Sequence, residues 1–78
     1  MHDRLSLATK FIAALYDVGR RNPASWRRIT ALGARTGIKG DELEQIVADV
    51  VAAGLVERRV DEPCLVILTS KGWAIARK

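Results

Sequence analysis

From Asp3 to Arg20, apolar or small residues recur at steps of three and four. Leu5, Ala8, Ile12, Leu15 and Gly19 fall on one face of a helix. Asp3 stands where an N-cap accepts a backbone N–H, and Gly19 followed by RRNP closes the helix, since proline disfavours helical geometry in the residue before it. Ser25 is placed to cap a second helix, with Ile29, Leu32 and Trp26 turned inward, and Gly37 falls where a helix ends in the left-handed conformation. A third helix starts near Gly40 and sets Leu43, Ile46, Val47, Val50 and Val51 on one face. Ala48, Ala52 and Ala53 raise its helix propensity and Gly54 ends it.

After Gly54 the period changes. LVERRV and CLVILT are apolar and β-branched, and Asp61, Glu62 and Pro63 between them read as the turn of a hairpin. Ser70 is placed to cap a short last helix, KGWAIARK. The expected fold class is therefore α+β: three helices, a two-stranded hairpin and a short C-terminal helix. With 78 residues and no linker, repeat or low-complexity tract, residues 1–78 read as one domain. A chain this size buries only about 60% of its unfolded surface, so modest stability is expected. With few aromatic residues, aliphatic side chains must supply most of the burial.

This order, with a glycine between helices two and three and a hairpin after the third, resembles the winged helix-turn-helix family. LGARTGI is similar to that family's second helix and turn, VVAAGLVERR to its third helix running into the first wing strand, and LTSKG to its return from the wing. Together these cover residues 26–76. The wording resembles small bacterial regulators of the multiple-antibiotic-resistance and phenolic-acid-repressor types. The resemblance implies transcription-regulator-like binding of double-stranded DNA, the third helix entering the major groove and the wing touching the adjacent backbone.

Charge complicates that implication. The net charge is +4, but it is unevenly spread. Residues 1–36 hold seven basic and two acidic residues, net +5; residues 37–54 hold one basic and four acidic, net −3; residues 55–78 hold five basic and three acidic, net +2. Matched to the family pattern, Lys39, Asp41, Glu42, Glu44, Gln45 and Ala48 face the groove, and of these Lys39 and Gln45 are conventional donors. The wing turn carries Asp61 and Glu62 in place of basic residues. Phosphate contacts are expected from Arg27 and Arg28 at the start of helix two, where the helix dipole adds to their attraction, and from Arg35, Arg58 and Arg59. Arg20 and Arg21 extend the basic group at the end of helix one. A second reading makes the acidic third helix, with Asp41, Glu42 and Glu44, the contact surface of a protein–protein module. Trp73 either covers the core edge or, if exposed, marks a contact such as a homodimer interface.

No catalytic constellation is visible. His2 has no partner ligand nearby in sequence, so neither a metal site nor a catalytic role is expected of it. Cys64 reads as a small half-buried hydrophobe, and a single cysteine excludes an internal disulfide, in keeping with a reducing compartment. GIKG lacks the spacing of a phosphate-binding loop. An enzyme, a cofactor or a small-molecule site is not expected. No apolar run is long enough to span a membrane and no export signal is visible, so the cytoplasm is the expected compartment.

Overall fold

A computed structural model describes residues 3–77. Helix α1 spans Arg4–Gly19, and Asp3 caps it by accepting from the Leu5 N–H at 3.3 Å. Strand β1 (Arg27–Arg28) follows, then α2 (Ile29–Thr36), α3 (Gly40–Ala52), β2 (Val56–Arg58), β3 (Leu65–Leu68) and α4 (Ser70–Ala76). The three strands form an antiparallel sheet with β3 in the middle, in the order β1-β3-β2. The chain is thus α+β, with four helices and one small sheet among the described residues. No helix among them is long and apolar enough to cross a membrane.

The buried core takes side chains from five of the seven elements, and Trp73 and Ala76 of α4 pack against it. Phe11 of α1, Leu32 of α2, Ile46, Val47 and Val50 of α3, Val56 of β2 and Val66 of β3 are the largest fully buried side chains. In β3 burial alternates, Val66 and Leu68 facing inward, as a one-sided sheet requires. Glycines end two helices as the sequence suggests: Gly37 (φ 80°) follows α2 and Gly54 (φ 78°) follows α3, both in the left-handed region that a side chain strains.

Several expectations need correction. Helix α1 buries Leu7, Phe11, Ile12, Leu15 and Gly19, whereas Leu5 is 73% exposed. The buried arc is wider than one ridge and includes the 7, 11, 15 row. Leu5, in the first turn, lies beyond the core and lines an open apolar groove with Leu55 and Ile75. Ser25 caps nothing. Arg27 and Arg28 lie in β1 and not in the first turn of α2, Arg28 being also its N-cap residue; they pair with Val66 and Leu65, and the Ile29 N–H continues that ladder to the Cys64 carbonyl at 2.8 Å. The backbone bonds offered by the free edge of β3 outweigh local helix propensity in this segment. The hairpin is therefore part of a three-stranded sheet. At α4 the cap is Thr69 and not Ser70; the Thr69 hydroxyl accepts from the Gly72 N–H at 3.1 Å. Cys64 is exposed and not half-buried, because it precedes β3 on the turn outside the sheet.

Candidate functional site

Helix α3 carries its outward residues as the apolar pattern requires, with Asp41, Glu42, Glu44, Gln45 and Ala48 exposed opposite Ile46, Val47 and Val50. Its acids are not equivalent. Glu44 pairs with Arg58 at 2.9 Å, and Asp49 accepts a bidentate bond from Arg4, closest at 2.6 Å. Asp49, by hydrogen bond first and charge second, raises the Arg4 guanidinium above its ordinary range. Asp41 and Glu42 pair with no described residue. They lie in the first turn of α3, where the helix dipole favours negative charge.

The basic residues singled out in the sequence divide into two groups. Four are engaged within the molecule. Arg27 is half-buried and donates from Nη2 to the Val18 carbonyl at 2.7 Å. Arg35 pairs with Asp17. Arg58 donates to the Pro63 carbonyl at 2.6 Å as well as to Glu44. Arg59 pairs with Asp61 at 2.8 Å and sits 5.7 Å from the ring centroid of Trp26. Arg28 and Lys39, like the uncharged Gln45, are exposed and bond to no other described side chain. Arg28 is the N-cap position of α2 and Lys39 that of α3, so each stands at the positive end of a helix whose orphan N–H groups no side chain caps.

Trp73 is half-buried, its ring 5.0 Å from that of Tyr16 in an edge-to-face arrangement and packed on Gly19. It therefore covers the core edge between α1 and α4 and is not an exposed contact. Trp26, also half-buried and next to β1 in the chain, lies under the Arg59 guanidinium and is not among the residues packed against the core. His2 lies outside the described residues. The sequence groups Arg20 and Arg21 with Arg27 and Arg28; the structure instead gathers Arg20, Arg21, Arg27 and Arg35 around one concavity, with Arg28 outside its lining. No protein-family model, curated protein or solved structure matches the chain.

Proposed function

We propose that the chain is a winged helix-turn-helix domain that binds double-stranded DNA in the manner of a transcription regulator, α3 lying in the major groove and the β2–β3 hairpin acting as the wing. The order α1-β1-α2-α3-β2-β3 with a left-handed glycine between α2 and α3 supports this reading. The observation that carries it is the distribution of engagement. The cations left uncommitted near the helix-turn-helix are Arg28 and Lys39, each at a helix N-terminus where backbone N–H groups also attract phosphate. Two of the four acids on α3 are neutralised by Arg4 and Arg58, which lowers the repulsion a duplex would meet. Gln45 is free to offer its amide to an adenine edge.

Titration of a labelled random duplex by fluorescence anisotropy at several salt concentrations tests the proposal. Replacing Arg28 and Lys39 together by Ala should weaken binding to all sequences alike and flatten the slope of log K against log salt by about 1.8, at about 0.9 per lost phosphate contact. An unchanged slope in a folded double variant would exclude these two residues from the interface.

A second reading has one observation in its favour. Asp41 and Glu42 remain unpaired on an exposed helix, which suits a basic protein surface better than phosphate.

A further inference from the structure

The concavity at the C-terminal end of α1 has a volume of about 650 Å³, within the range of small-molecule sites, but its walls are charged where such sites are usually apolar. Its lining is Asp17, Val18, Arg20, Arg21, Arg27 and Arg35. Three separate segments bring the guanidiniums together: Arg20 and Arg21 follow the last turn of α1, Arg27 comes from β1 and Arg35 from the last turn of α2. Part of this clustering has a structural cause. A helix C-terminus carries roughly half a negative charge, and Arg27 donates to one of its exposed carbonyls, that of Val18. Asp17 likewise neutralises Arg35.

These causes do not balance the site. Four guanidiniums face one carboxylate and roughly half a unit of dipole charge, which leaves a surplus of about 2.5 positive charges around one open space. Arg21 bonds to no described residue, and Arg20 meets only the face of Tyr16 at 6.0 Å. Arg27 has a buried Nε without a hydrogen-bond partner among the described residues. Like charges gathered around one open space repel one another, and an oxyanion with several acceptor oxygens relieves that cost while accepting charge-assisted bonds from planar forks.

We propose that this concavity binds the doubly charged phosphate group of a small phosphorylated ligand. A phosphomonoester carries about −1.5 to −2 charges at neutral pH, close to the surplus. A backbone phosphodiester carries one, and it matches the surplus less well. Arg20 and Arg21, in no ion pair among the described residues, supply donors to the concavity, while Arg27 and Arg35 are held in its wall by the Val18 carbonyl and Asp17. The site is independent of the duplex-binding reading, because Arg28, Lys39 and Gln45 do not line it.

The test titrates inorganic phosphate, and separately glycerol phosphate, into the full chain at constant ionic strength while backbone amide resonances are followed by NMR. Saturable shifts are expected at residues 17–21, 27 and 35. Arg20→Gln with Arg21→Gln removes these donors without touching an intramolecular ion pair, and should weaken phosphate binding at least about tenfold while leaving the amide spectrum otherwise folded. Shifts that grow linearly, or that chloride reproduces at the same ionic strength, would overturn the site, as would an unchanged affinity in the double variant. A duplex without terminal phosphates forms the last arm. If it displaces phosphate from these amides, the site belongs to the nucleic-acid backbone and the small-ligand assignment fails; if the two bind without competition, the assignment stands.

Discussion

Gly72 is the residue at which one methyl group would matter most. It lies buried in the first turn of α4, and a Cβ built there overlaps the carbonyl oxygen of Leu55 and comes within 2.9 Å of Leu68 Cδ2. The obstacle is mainly backbone, so it cannot rotate aside. Gly72→Ala should cost about 1–3 kcal/mol, read as a lower denaturant midpoint at unchanged slope. Ile46 presents the opposite case, a side chain with 0% exposure at the centre of the core. Ile46→Asp buries an uncompensated carboxylate, and should unfold a domain whose whole stability is of the order of 5–15 kcal/mol; circular dichroism would show the loss. The two residues differ in legibility. Ile46 stands out because its neighbours at three and four positions are apolar too. The importance of Gly72 lies in the approach of α4 to the β2 entry, a tertiary distance that no local pattern encodes.

Among the elements, α3 combines a firmly determined inner face with an undetermined outer one. Asp41→Asn with Glu42→Gln removes the two unpaired acids, leaves the Glu44–Arg58 and Asp49–Arg4 pairs in place, and keeps side-chain size. If α3 lies in a groove, non-specific duplex affinity should rise roughly a few-fold, most clearly at low salt where screening is weak. Unaltered duplex affinity with loss of a basic protein partner from native lysate would favour the protein-binding reading instead. The long helices were legible because apolar spacing persists over several turns and glycines mark the ends. Strand β1 was not: two residues cannot show a period, and SWRRIT reads as a helix start until the edge of β3 is present to pair with it. The place of Arg27 in β1 sets its side chain half-buried, donating to the Val18 carbonyl.

Across the whole molecule, one core unites helices and sheet, and the Cα radius of gyration of 11.2 Å is close to the roughly 11.5 Å expected of a single domain of this length. Trp73 on α4 packs against this core, whereas Trp26, beside β1 and under Arg59, is not part of it, so the two serve as separate reporters. Variants retaining only one tryptophan, Trp26→Phe and Trp73→Phe, should each unfold in a single fluorescence transition that coincides with loss of helical circular dichroism. Separated midpoints would mean that the sheet edge and α4 open independently. At this scale the uneven charge was readable from composition along the chain, but the partnerships were not. Arg4 with Asp49 and Arg58 with Glu44 join residues from different elements, and only the folded chain decides which charges remain available to a partner.

The sheet order also dictates a schedule. Strand β3 is the last of the three along the chain, and both β1 and β2 depend on it for their ladder bonds. As the polypeptide leaves the ribosome, the three long helices are made while Arg27, Arg28 and Val56 still lack their hydrogen-bonding neighbour. The nascent helices can associate, but the seam between α1 and the sheet cannot close until residues 65–68 emerge. Until then the part of the helical core that the sheet covers stays open to chaperones and to wrong partners.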